Sequence, residues 1–238
     1  MRGQKTIIIN VLKIGGSLAA YPEKLKKLCT SLSKLSKKHY IVLVPGGGEF
    51  ADTVRKVDAS FFLSSEIAHR MAILGMDQYG LLLSDLIVNS LTVDSLGAIK
   101  KAVPSGKIPI LLPSNLLFQD NVLENSWEVT SDAIAVYIAH LLSASKVILV
   151  SDVDGILSGD PKINSKAELI KKIRADELLA LKKRTSVDNF VPKLLLEWPV
   201  NCFVVNGLFP ERVEAILVGR NTICTQIDAA SVLNQQPR

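Results

Sequence analysis

Lys13 closes an apolar run directly ahead of two glycines, in the order Lys13-Ile14-Gly15-Gly16-Ser17, and a second apolar run closes on Pro45-Gly46-Gly47-Gly48. A glycine turn lets bare backbone N–H groups approach anionic oxygens, and a helix beginning just beyond it adds partial positive charge. Phosphate is the ligand such turns suit, and a lysine beside one supplies a fixed cation. A lone Gly-Gly is equally a tight strand-to-helix connection, so the argument rests on the two turns occurring together. The residue order excludes the two best-known nucleotide motifs. A P-loop places its lysine after the glycines, and the dinucleotide fingerprint needs G-x-G-x-x-G.

These turns need strands to carry them and helices to follow. Short β-rich runs at 6–13 and 40–44 alternate with an amphipathic helical pattern at 22–37, which implies βαβ units and a mainly parallel sheet. A helix continues from the second turn over 52–57. A long helical pattern fills 64–88, with Gly75 or Gly80 as possible breaks, and a strand at 108–112 ends on Pro113. The second half repeats the logic: helix 131–142, strand 146–151, polar loop 152–165, helices 175–181 and 190–197, strand 202–205, helix 210–218 and strand 222–227. No low-complexity linker separates the halves. The expected organisation is an N-terminal lobe over 1–120 and a C-terminal lobe over 121–227 on one continuous sheet, with 228–238 as a flexible tail.

The chain has 238 residues, of which 48% are hydrophobic, enough for one large or two small cores. Its net charge of +5 is carried by lysines spread over helix faces, such as Lys24, Lys27, Lys34 and Lys38, without interleaved aromatics. A solvated helix surface explains them better than nucleic-acid binding. Cys29, Cys202 and Cys224 are odd in number and far apart, suggesting neither a disulfide framework nor a zinc site. No N-terminal signal region is visible, and the apolar stretch 133–150 is interrupted by His140, Ser143, Ser145 and Lys146. It reads as a buried helix followed by a strand, with no membrane partner and a reducing cytoplasm as the expected location.

Read in order, the two glycine turns, Thr130-Ser131-Asp132-Ala133 and Ser151-Asp152-Val153-Asp154-Gly155-Ile156 resemble the amino acid kinase superfamily across nearly the whole chain. The resemblance implies a three-layer αβα sandwich on an open, mainly parallel sheet, with the acceptor in the N-terminal half and ATP in the C-terminal half. It makes Lys13 the lysine that bridges the transferring phosphate, Asp132 the carboxylate that organises the lysines, and Lys193 the second lysine. Gly15, Gly16, Ser17, Asp152, Asp154 and Gly155 would contact the nucleotide. Lys162, in Asp160-Pro161-Lys162, would approach its phosphates. Magnesium would be held chiefly by the nucleotide and water, with no protein metal ligand. The chain departs from the pattern ahead of Lys193, where Ser186-Val187-Asp188-Asn189-Phe190-Val191-Pro192 replaces the usual Gly-Gly-Met segment. Without the resemblance, Lys193 is an exposed helix residue and Asp132 a carboxylate favoured by a helix N-terminus.

Thr130-Ser131-Asp132 is closer to the Thr-Thr-Asp of bacterial uridylate kinases than to the Asn-Ala-Asp of carboxylate kinases, which tilts the acceptor towards a phosphomonoester. The segments 68–80, 127–132 and 204–212 are similar to the aminomethylfuranyl-methyl phosphate kinases of methanofuran biosynthesis. Gly46, Gly47, Gly48, Asp52, Arg55 and His69 are then the acceptor-side candidates. Arg55 would read the phosphate, and Asp52 or Asp77 would meet an ammonium group. Asp52 and Arg55 are equally a surface pair at helical spacing, and His69 equally a structural histidine. The open alternatives are a carboxylate or carbamate kinase, a kinase of UMP or isopentenyl phosphate, and a non-catalytic storage or sensor protein on the same fold. The family often forms homo-oligomers, for which Phe61, Phe62 and Leu63 are an interface or ordinary core.

Overall fold

A computed structural model of the chain describes residues 7–119, 122–159, 166–181 and 185–229. Its centre is β1 (Ile9–Ile14), whose last five residues are all buried. β1 pairs in parallel with β2 (Tyr40–Pro45) on one side and with β5 (Lys146–Ser151) on the other. Beyond β2 lie β4 (Ile108–Leu111) and then β3 (Ser90–Val93), both parallel to it. Beyond β5 lies the parallel β9 (Asn201–Asn206), followed by β10 (Thr225–Asp228), antiparallel to β9, and β8 (Lys172–Arg174). The result is one eight-stranded sheet in the order β3-β4-β2-β1-β5-β9-β10-β8. A two-stranded ribbon of β6 (Ile156–Leu157) and β7 (Leu169–Ile170) stands beside it.

Alternation along the strands divides the core into two layers. Val11 packs into a cluster with Val136, Ile138 and Leu195, whereas Leu12 and Ile14 pack with Leu28, Tyr79 and Leu83. The first layer belongs to α6 (Ser131–Leu141), α7 (Ala175–Ala180) and α8 (Phe190–Glu197); the second to α1 (Pro22–Leu35), α9 (Pro210–Leu217) and the C-terminal part of α3 (Ser65–Leu86). This is the three-layer αβα sandwich expected. α2 (Gly48–Phe61) begins at the second glycine turn itself, four residues before the predicted start. Two further helices, α4 (Leu96–Ala102) and α5 (Ser114–Gln119), flank β3 and β4.

Two expectations need correction, and one strand was not anticipated. α3 runs unbroken through Gly75 and Gly80. A Cβ on Gly75 would stand 3.1 Å from the Ala51 nitrogen and one on Gly80 2.7 Å from the Leu112 side chain, so these glycines permit close packing and do not bend the helix. The strand at 90–93 was missed because it is short and only its last residue is fully buried. Phe61 and Phe62 are 73% and 88% exposed at the end of α2, and are not core. Among the described residues no helix is long and apolar enough to cross a membrane.

Candidate active site

From β1 the chain proceeds one way across the sheet to β2, and it returns to β1's other side as β5. The carboxyl ends of β1 and β5 therefore flank a topological switch point, where open α/β sheets bind ligands. A cavity of about 700 Å³ opens there, lined from both halves of the chain: Lys13, Gly15, Gly16 and Ser17, then Gly47 and Gly48, then Thr130 and Ser131, then Ser151 and Asp152.

The two glycine turns are physically interdependent. A Cβ on Gly16 would lie 2.1 Å from the Gly48 nitrogen, and one on Gly46 would lie 2.7 Å from the Gly16 nitrogen. Gly48 itself adopts φ +53, in the left-handed region that side chains disfavour. Hydrogen bonds fix the assembly from three sides: Gly15 N–H donates to the Val150 carbonyl (2.7 Å), Gly46 N–H to the Ile14 carbonyl (2.8 Å), and the buried Tyr79 hydroxyl to the Gly15 carbonyl (3.2 Å). Only bare backbone fits between the turns, and the start of α2 adds its dipole to the same spot.

Lys13 is two residues beyond Val11 on β1 and so projects to the face covered by α6. There its ammonium meets Asp132 Oδ1 at 2.8 Å, with both side chains about nine-tenths buried. Asp132 sits in the first turn of α6, and the Thr130 hydroxyl caps that turn by accepting from the Asp132 N–H at 3.2 Å. Ser17 and Asp152 also meet across the sheet, the hydroxyl donating to the carboxylate at 2.7 Å. Expected nucleotide and catalytic groups from residues 13–17 and from 132 and 152 are thus brought together.

Of the residues expected on the acceptor side, Asp52, Arg55 and His69 all line the cavity with Gly47 and Gly48. Arg55 pairs with Asp52 at 2.8 Å while half of each side chain stays exposed, and its guanidinium lies 4.9 Å from the Trp127 ring centroid. Trp127 is anchored in turn by its indole N–H, which donates to Asp58 at 2.7 Å. His69 is buried, and burial pushes its pKa down despite a hydrogen bond with the Ser126 backbone, so it is neutral at pH 7. Asp77 does not reach the cavity. Its carboxylate accepts from the Ser114 N–H and hydroxyl, and burial raises its pKa.

Other expected residues lie elsewhere. Asp154 and Gly155 are not in the cavity lining. Asp154 accepts from Asn206 at 2.9 Å and from Arg212 at 2.6 Å, contacts that hold its carboxyl below the usual range. Gly155, at φ +147, packs against Thr225. Lys193 is exposed on α8 with its ammonium 4.4 Å from the Phe190 ring centroid, and it is not in the cavity lining. Lys162 lies outside the described residues.

Trp127 and Asp188 were not singled out as site residues by the sequence. A tryptophan isolated in the polar segment 124–129 was the available signal for the first. The second carried none, since its importance lies in partners more than fifty positions away.

The chain resembles known kinases at every level of comparison. It is 39% identical to the [5-(aminomethyl)furan-3-yl]methyl phosphate kinase of Methanocaldococcus jannaschii over 92% of this chain and 97% of that relative. It is 27% identical to a uridylate kinase of Methanosarcina barkeri, over 87% and 90% of the two chains. The fold superposes on the uridylate kinase of Archaeoglobus fulgidus with TM-score 0.74 at 19% identity, covering 92% of this chain and 99% of that one. It superposes on the UMP kinase of Ureaplasma parvum with TM-score 0.75 at 20% identity, covering 94% and 100%. The profile of the amino acid kinase family matches residues 9–194, a span that runs from the lysine-bearing strand into α8, and the chain belongs to that family.

Proposed function

We propose that this chain transfers the γ-phosphoryl group of ATP to the phosphate of a small phosphomonoester, and that the acceptor is [5-(aminomethyl)furan-3-yl]methyl phosphate of methanofuran biosynthesis. The observation that carries the reading is the 39% identity to a kinase of that compound, extending over nearly all of both chains. UMP is the second reading, supported by uridylate kinase relatives at 27% identity and below.

In this reading an acceptor phosphate oxygen attacks the γ-phosphorus, the bond from that phosphorus to the β–γ bridging oxygen breaks, and ADP departs with the electron pair. Such a transfer is catalysed mainly by positioning and by neutralising charge on the equatorial oxygens. Lys13, held by Asp132, supplies the fixed cation, and the interlocked glycine turns supply backbone at close approach. A phosphate acceptor is already a nucleophile and needs no strong base, which suits a cleft whose one lining histidine is neutral. The N-terminal half faces the acceptor: Arg55 reads its phosphate, Asp52 meets its ammonium group, and the His69 ring, with the Trp127 ring from the C-terminal half, offers a flat surface to the furan. ATP is taken by the C-terminal half through Asp152 and Lys162, with Ser17 of the N-terminal half reaching across to Asp152. Among the described residues no group of three or more acidic, histidine or cysteine side chains is disposed to hold a metal. Mg²⁺ enters on the ATP phosphates with its waters, as that ion's reluctance to shed water allows. The working protein is a cytoplasmic homo-oligomer.

ADP release measured with Mg-ATP and the furan phosphate, UMP and isopentenyl phosphate in parallel tests the reading. Turnover is expected with the furan phosphate at a kcat/KM well above the other two. Preference for UMP would replace the acceptor and keep the kinase; acyl phosphate trapped by hydroxylamine from a carboxylate substrate would overturn the phosphate acceptor altogether.

A further inference from the structure

The geometry points to Asp188 as a positioning residue for phosphoryl transfer, one that ties the first turns of α6 and α8 together and thereby sets Asp132 and the Lys13 ammonium it holds. The inference rests on the reading of Lys13 and Asp132 given above. Asp188 Oδ2 accepts from the Thr130 N–H (3.0 Å), the Thr130 hydroxyl (2.7 Å) and the Ala133 N–H (3.1 Å), all at the start of α6. Its Oδ1 accepts from the Phe190 N–H (3.0 Å) and the Val191 N–H (2.9 Å), at the start of α8. Five donors converge on one carboxylate, one more than its roughly four lone-pair sites, so Oδ2 shares a lone pair between donors.

Two helix N-termini face one another here across a single anion, so both dipoles favour the charge that joins them. The residues held between Thr130 and Ala133 by this arrangement are Ser131 and Asp132, and Asp132 is the group that grips Lys13 at 2.8 Å. A small displacement of the α6 terminus would therefore move the ammonium relative to the transferring phosphate. Asp188 is not itself part of the cavity lining and meets it only through Thr130, which places its effect on geometry and not on contact with substrate.

The charged and titratable groups facing Asp188 are Asp132 on α6, Lys13 beyond it on β1, and the buried thiol of Cys202 on β9. Burial first, and the Asp132 carboxylate second, raise the Asp188 pKa, while the hydrogen bonds from Thr130 and Val191 oppose that rise. Protonation would place a hydrogen among five converging donors and break the tie. The acid limb of turnover therefore follows Asp188, and losing the Thr130 hydroxyl moves that limb to higher pH.

The test is kcat and KM against pH for wild type, Asp188→Asn, Thr130→Val, Thr130→Ser and Lys13→Ala, with Mg-ATP and the furan phosphate. The acceptor's own phosphate ionisation is common to all, so the shift between variants is what is read. Asp188→Asn aims an NH₂ at backbone donors and is expected to lower kcat on the order of tenfold to a hundredfold, as misplacement by about an ångström does, with both KM values nearly unchanged. Its acid limb should flatten. Thr130→Val should move the limb to higher pH, and Thr130→Ser should restore it. Should Asp188→Asn fail to fold, the Thr130 pair decides alone. An acid limb unmoved in Thr130→Val, with Lys13→Ala inactive, overturns the role of Asp188 and leaves the active-site reading standing. Normal turnover in Lys13→Ala overturns that reading and this inference with it.

Discussion

Two ion pairs in this cleft have the same length and different meanings. Lys13 and Asp132 meet at 2.8 Å with side chains 11% and 10% exposed; Arg55 and Asp52 meet at 2.8 Å with side chains 52% and 57% exposed. In the buried pair each charge depends on the other, since removing one partner leaves an uncompensated charge and costs about 3–5 kcal/mol. In the exposed pair water and salt screen the attraction to about 0–1 kcal/mol, so either group can exchange its partner for a ligand. On the proposed reading, the floor of the cleft stays fixed while charge redistributes over it, and the rim rearranges around what binds.

The comparison can be broken first at the floor. Gly16→Ala would put a Cβ 2.1 Å from the Gly48 backbone nitrogen, where neither turn can yield cheaply. Thermal denaturation should show a loss of about 3 kcal/mol or more, and ADP release should cease. Lys13→Ala should keep a folded protein by circular dichroism and lower kcat on the order of a hundredfold or more, as loss of one preorganised transition-state contact does, with ATP affinity by calorimetry changed much less. At the rim, Arg55→Ala should raise the acceptor KM about tenfold while kcat at saturating acceptor holds, the mark of binding shared by ground and transition states. Lys193→Ala should change kcat less than about twofold and stability by less than about 1 kcal/mol, because its ammonium rests on Phe190 away from the cavity. A collapse of kcat in that last variant would show that α8 turns inward when ATP binds.

What was legible in the sequence was local. Lys13 and its glycines are read from five consecutive residues, and their placement at strand ends follows from apolar runs that are the buried strands β1 and β2. That the two turns interlock was not legible, because Gly16 and Gly48 meet only after β1 and β2 pair in register. The same holds for Asp188, which was read as part of a missing glycine loop and whose donors at Thr130 and Ala133 lie 58 and 55 positions away. Asp77 shows the converse error. A carboxylate on the right helix was available to an ammonium group by sequence, and the fold gives it to Ser114 instead. Glycine within a helical pattern was likewise ambiguous: Gly75 and Gly80 serve packing against α2 and β4, a cause invisible until those elements are placed.

The measurement that bears most directly on the account is phosphorus NMR of the purified protein with Mg-ATP and [5-(aminomethyl)furan-3-yl]methyl phosphate. The account predicts a new pair of diphosphate doublets growing as the acceptor's monophosphate singlet declines, in step with ADP and absent with Lys13→Ala. A monophosphate singlet that persists unchanged beside active consumption of another acceptor would contradict it.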